Sequence, residues 1–325
     1  RDYINSHQLL VGLGLIFIGL FIAQPIVDAP MIRVSGAGVP NMFPLLFVTI
    51  ACGAISGFHG LVSSGTTSKQ VSNIRHTKLI GYGAMLGEGT LALAATIAAV
   101  AGISLVANCN LPAVGRVEDL SWAVYYDSWA HAATNKATAF VLGGGALIES
   151  LGIQSNLAKT IMAVLVISFA ATTLDTATRI QRFILMEVGD SLKIQVLKNR
   201  YIATLIAIIP ALWLTLWQVT DPTTGSSTQA GWVLWPIFGA SNQMLAALTL
   251  MILSIYYWKQ NRPVLPLVIP FIFITIITLT TLMVKVQSFA MTNRILLVID
   301  GILIALILWM LYEGWMVFRT RSHAK

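Results

Sequence analysis

"GAISGFHGLVSSGTTSKQ", Gly53–Gln70, closes an apolar run that begins near Met42. The run has the length of a membrane span, yet its second half replaces large apolar side chains with Gly, Ser, Thr and one His. Two readings fit. In the first, Gly53, Gly57 and Gly60 let neighbouring helices approach closely, as small-xxx-small packing does. In the second, the helix is broken near Gly53–Gly57, where glycine permits unwinding. Freed N–H and C=O groups then face a cavity, because non-helical backbone at that depth is tolerated only there. Secondary transporters build substrate sites from such broken helices. On this reading Gly53, Ser56, Gly57, Phe58, His59, Ser63 and Ser64 form the substrate site. A helix restarting near Ser56–Gly57 has free N–H groups at its start, which attract anionic groups. His59 and Ser63 share a helix face. A Ser–His nucleophile on that face lacks the G-x-S-x-G elbow, so intramembrane catalysis is the weakest alternative.

The rest of the chain makes the membrane reading general. It is 56% hydrophobic and 10% charged over 325 residues, with a mean hydropathy of +0.78. A soluble domain carries about 25% charged residues. Runs of about 20 apolar residues, enough to cross a hydrocarbon core, recur along it. The pattern predicts an all-α polytopic membrane protein with eight spans, near 7–27, 43–64, 79–105, 157–178, 198–219, 233–257, 264–286 and 294–318. Between the third and fourth lies an aromatic-rich connection, "LSWAVYYDSWAHAAT", followed by "AFVLGGGALIESLG", Ala139–Gly152. The latter is too short and glycine-rich to cross alone and predicts an external re-entrant or capping hairpin.

With the N-terminus inside, 14 of the 20 basic residues fall on the cytoplasmic side, as the positive-inside rule requires. The remaining six, Arg33, Arg116, Lys136, Lys159, Lys285 and Arg294, fall outside. The net charge of +7 therefore reports topology and not nucleic-acid binding. Cys52 and Cys109 have no metal-ligand spacing. No cofactor is expected. No G-x-x-x-x-G-K-[ST] motif is present, which argues against an ATP-driven pump. The chain begins at Arg1 and enters a helix almost at once, so further N-terminal helices are expected to precede it.

Four blocks, "FPLLFVTIACGAISGFHGLVSSGTTSKQ", "GYGAMLGEG", "TTLDTATRIQRF" and "LWPIFGASNQMLAAL", resemble the carbon starvation protein A (CstA) family, in family order. The resemblance covers nearly the whole chain, which looks like the C-terminal part of a member. It implies a partial inverted-repeat (LeuT-like) fold, with the first span here as the fifth helix and the opening stretch as the discontinuous sixth. It also implies a single transporter domain over 1–325 in a bacterial or archaeal plasma membrane. The activity implied is uptake of small peptides or pyruvate in carbon starvation, by symport with sodium or a proton. A channel is the principal alternative; the oligomeric state is left open.

Intramembrane ionisable residues are functional candidates. Glu88 lies about nine residues into its span and is expected to face the protein interior, paired or protonated, as a coupling-proton carrier or a hydrogen-bonded structural acid. Asp175 has Arg179 four residues on, so it reads as an ion pair or as part of an ion site. In sodium-coupled members of the wider superfamily a hydroxyl pair on this helix coordinates sodium, which implies that role for Thr172 and Thr173. Hydroxyl oxygens suit such a hard cation. Asn242 and Gln243, a third of the way into their span, read as interhelical hydrogen-bonding residues.

Overall fold

A computed structural model describes residues 2–32, 42–111, 115–128, 136–220 and 227–322. Arg1, Arg33 and Lys325 of the charge count, and 129–135 of the aromatic connection, lie outside the described residues. In chain order the main elements are α1 (Asp2–Ala23), α2 (Phe47–Ala54), α3 (Gly57–Val62), α4 (His76–Val100), β1 (Asn108–Leu111), β2 (Gly115–Glu118), α5 (Lys136–Glu149), α6 (Ser155–Ser191), α7 (Arg200–Leu216), β3 (Gln218–Thr220), β4 (Ser227–Gln229), α8 (Trp235–Lys259), α9 (Leu265–Thr292) and α10 (Arg294–Ser322). Among the described residues seven helical segments are long and apolar enough to cross a membrane. The eighth expected span, 198–219, is the shorter α7 of 17 residues, with Pro210 inside it.

Three expectations need correction. α6 does not end near 178 but runs for 37 residues to Ser191, so Arg179 and Arg182 are helical and not in a loop. The stretch 139–152 is no hairpin: α5 is one helix as far as Glu149. Its glycines serve close approach and not a turn. A β-carbon on Gly143 would collide with the Ala98 carbonyl oxygen, while those on Gly144 and Gly145 would press on Met162 and Lys159. Finally, the connections carry two small antiparallel hairpins, β1–β2 and β3–β4, which composition did not announce.

The chain forms two compact units, Arg1–Val39 with Val71–Ala177, and Pro40–Gln70 with Thr178–Lys325. In the first unit Leu13 and Ile16 of α1, Ala94 of α4, Leu147 and Ile148 of α5, and Ala158 and Met162 of α6 make one buried cluster. Small residues bring the helices together: Gly19 of α1 lies against the Leu147 carbonyl, and Gly102 against Gly143. In lipid such packing, and not water exclusion, holds helices together. A second cluster joins Ile103, Val106, Leu111, Leu120 and Tyr125 to Ala139 and Ala146 of α5, so the β1–β2 connection has its own core. The second unit is built on the antiparallel trio α8–α9–α10, whose core contains Ala240, Ala247, Ile274, Leu282, Leu296, Leu303 and Ile307.

Tyr125 anchors the connection. It is fully buried, and its hydroxyl is hydrogen-bonded with the Thr138 side chain and the Ala139 backbone. Burial, reinforced by neighbouring Tyr126, pushes this phenol well above its ordinary value of 10.0 against the opposing effect of those two bonds. The phenol is therefore neutral in the fold. Its contribution is complete below the ordinary value and is lost as pH rises beyond it. Tyr125→Phe should lower stability at neutral pH by about 0.5–1.5 kcal/mol, the worth of a hydrogen bond, and should flatten the alkaline fall in melting temperature. Equal alkaline slopes in both proteins would contradict this placement of the phenol.

Candidate functional site

The helix that begins at Phe47 stops and restarts. Ile55 (φ −132, ψ 87) and Ser56 (φ −90, ψ 124) are extended between α2 and α3. The break falls inside the predicted Gly53–Gly57 interval, but glycine is not its cause. Neither unwound residue is a glycine, and both have negative φ, so the break does not call on a glycine's left-handed freedom.

What makes the break tolerable is two side chains from α8. The Asn242 carboxamide oxygen accepts from the Phe58 N–H at 2.9 Å and from the Ser56 hydroxyl at 3.3 Å. Its Nδ2 lies 2.9 Å from the Cys52 sulfur and 3.2 Å from the Ser56 hydroxyl oxygen. Next to it, Gln243 Nε2 donates to the Ile55 carbonyl at 3.1 Å. Both amides are buried, at 4% and 2% exposure, so each bond replaces one that water cannot supply. The expected interhelical role of Asn242 and Gln243 thus has a specific object: the loose ends of a broken helix.

Gly57 is buried against the same helix. A β-carbon on it would collide with the Asn242 carbonyl oxygen and crowd Leu245 and Ala246, and one on Gly60 would strike Thr249. The packing reading and the broken-helix reading, opposed in the sequence, occupy different faces of one segment. Val48, Gly57 and Thr66 are buried, whereas Gly53, His59, Ser63 and Ser64 are exposed. Gly57 and the Phe58 N–H, expected to receive substrate, are instead committed to α8. The Ser63 and Ser64 hydroxyls both donate to the Gly60 carbonyl at 2.9 Å, leaving their oxygens as acceptors. His59 is not without a partner.

The ion-coupling candidates belong to the first unit. Thr172 donates to the Ser168 carbonyl at 2.9 Å and accepts from the Asn5 side chain of α1. Thr173 is exposed and donates to the Phe169 carbonyl at 3.0 Å. Asp175 is half-buried and partnered. Glu88 was expected to face the interior, but it is exposed, as are its neighbours from Lys78 to Leu86, though it too has a partner. Among the described residues no group of three or more His, Cys, Asp or Glu side chains could hold a metal ion.

The geometry separates structural from surface positions. Gly57→Val should wedge α3 from α8 and lower the melting temperature, overpacking costing about 1–3 kcal/mol. Asn242→Ala should cost a similar amount, about 1–3 kcal/mol, by stranding the Phe58 N–H. His59→Ala, on the outer face, should leave the melting temperature near wild type. A stable Gly57→Val protein would show that α8 does not hold the break.

The carbon starvation protein CstA family model matches residues 1–281. The chain is 30% identical over 304 residues to the peptide transporter CstA of Mycobacterium tuberculosis, covering 81% of this chain and 39% of that protein. It is 29% identical over 302 residues to the peptide transporter CstA of Escherichia coli, covering 81% and 42%. It is 32% identical over 349 residues to the pyruvate/proton symporter BtsT of Escherichia coli, covering 89% and 48%. The chain therefore spans less than half the length of each of these relatives. No solved structure matches it. On the match over residues 1–281, with the broken helix lying inside it, the chain belongs to the carbon starvation protein CstA family.

Proposed function

We propose that this chain is part of a secondary transporter that takes up small peptides or pyruvate with protons by alternating access. It sits in this reading as a multi-pass protein of a bacterial or archaeal plasma membrane. The observation that carries the proposal is the unwound Ile55–Ser56 step inside a membrane-length segment. A span broken at that depth and capped by buried amides has little structural purpose of its own, whereas transporters place substrate at such breaks. Relatives named as peptide transporters and as a pyruvate/proton symporter support the substrate class and the coupling.

The two substrate classes share a carboxylate. With Gly57 and the Phe58 N–H committed to α8, recognition falls to the exposed face: the His59 imidazole and the hydroxyls of Ser63 and Ser64, beside Gly53. In this reading α1 is the fifth helix of an inverted-repeat fold and α2–α3 its discontinuous sixth. Glu88 and Asp175, on the membrane-length helices of the first unit, carry the coupling in this reading. A sodium site at Thr172 and Thr173 is a second reading, supported by two adjacent hydroxyl oxygens. It predicts that Thr173→Ala raises the sodium concentration needed for uptake.

Uptake of labelled pyruvate and of a labelled dipeptide by the complete protein in liposomes tests the proposal. Saturable accumulation driven by an inward proton gradient is expected, with each unlabelled substrate competing for its own label. Single-channel conductance, or a chemically altered substrate, would replace this reading by a channel or an enzyme. Gradient-driven uptake that follows sodium and ignores pH would move the coupling to the hydroxyl pair.

A further inference from the structure

The second unit contains a charged site that the broken helix does not use. Asp300 of α10 is fully buried, and among the described residues no donor reaches either of its carboxyl oxygens. It is no surface accident. Asp300 lies on the stripe Leu296–Asp300–Leu303–Ile307, whose three apolar members belong to the core of the α8–α9–α10 trio. The facing helix brings one ionisable group into the same core. Lys285 of α9 falls between Leu282 and Phe289, both core residues, and is itself half-buried.

The hairpin sets the two level with each other. α9 and α10 are joined through Asn293 alone. Lys285 lies eight residues before it and Asp300 seven after. At about 1.5 Å per residue both are roughly 10–12 Å from the same end of the bundle. Lys285 acts electrostatically on Asp300 without closing a hydrogen bond to it. The sequence placed Lys285 outside the membrane; α9 in fact continues seven residues beyond it, to Thr292. Below Lys285 the same face of α9 carries buried Thr281, Thr278 and Thr275.

Among the described residues of the three helices no other ionisable group lies near the pair. Lys285 is the sole ionisable residue of α9, and α8 has none before Tyr256, Tyr257 and Lys259 at its far end. On α10 the others are Arg294 at its start and Tyr312, Glu313, Arg319 and Arg321 near its end. A bare carboxylate in such a core has a charge and two acceptors uncompensated, which costs far more than a polar core position can return. Two partners can supply the compensation: a proton on the carboxyl, or the Lys285 ammonium swinging onto it. Exchange between these states takes up or releases one proton and moves one long side chain across the hairpin.

We propose that Asp300 and Lys285 form an intramembrane proton-exchange site in the α9–α10 hairpin. The inference deepens the proton-coupled reading above and rests on it for its physiological use, but its spectroscopic test does not.

Infrared difference spectra of the complete purified protein, recorded across a pH titration without substrate, read the site directly. Wild type should show a carboxylic-acid carbonyl band that vanishes as pH rises, and Asp300→Asn should lack it at an unchanged melting temperature. Should Asp300→Asn fail to fold, Asp300→Glu must shift the band. A band unaltered by substitution at position 300, or no titrating carboxyl at all, overturns the proposal and leaves a fixed structural pair. In liposomes Asp300→Asn should exchange labelled for unlabelled substrate yet lose accumulation driven by a proton gradient. Retained gradient-driven accumulation would likewise overturn it. If wild type shows the titrating band but no proton-driven uptake, the transport reading fails and the site stands.

Discussion

A helix interrupted inside hydrocarbon must have its open N–H and C=O groups satisfied by protein, and this constraint organises the second unit. At Ile55–Ser56 the satisfaction comes from two adjacent carboxamides on α8, Asn242 and Gln243. Being adjacent, they reach both sides of the gap: one takes the restarting N–H and the other the last carbonyl. The glycines then follow. α3 must lie close enough to α8 for a short amide side chain to bridge them, and a β-carbon at Gly57 or Gly60 would hold it off. Close packing on one face and a presented polar face on the other are two consequences of one contact.

The contact with α8 leaves the other face of the segment exposed. His59, Ser63 and Ser64 line one exposed side of the segment while Val48, Gly57 and Thr66 line the buried one. The unwound Ile55–Ser56 step separates the two helical pieces, and Asn242 and Gln243 hold it against α8. In the proposed reading the substrate face and the unwound step share one segment, and α8 is the helix against which that segment packs.

The sequence made the architecture legible where periodicity and composition speak to single helices, and misled where one composition serves two purposes. Gly and Ser inside a span located the break to within a few residues. They could not say that Ile55 and Ser56 unwind while Gly57 packs, because glycine both tolerates unusual torsions and admits neighbours. The same ambiguity made Gly143–Gly145 read as a turn, although they let α5 sit against α4 and α6. Asn242 and Gln243 were visible as polar residues in a span; their target was not, since partners 184 or more residues apart leave no local mark. Asp300 had a signal, an acid in an otherwise apolar run, but its importance depends on burial and on Lys285. Lys285 was placed outside because it stands near the end of an apolar window that the helix outruns.

The central claim is that the outer face of the broken helix meets the substrate. It can be tested without transport. In the complete protein, with Cys52→Ser and Cys109→Ser, a Ser63→Cys thiol can be labelled with a maleimide in the presence and absence of pyruvate or a dipeptide. The account predicts that at least one of them slows labelling at position 63, while labelling of Ile302→Cys on the exposed side of α10 does not change. Equal labelling rates at position 63 with and without both substrates would contradict it.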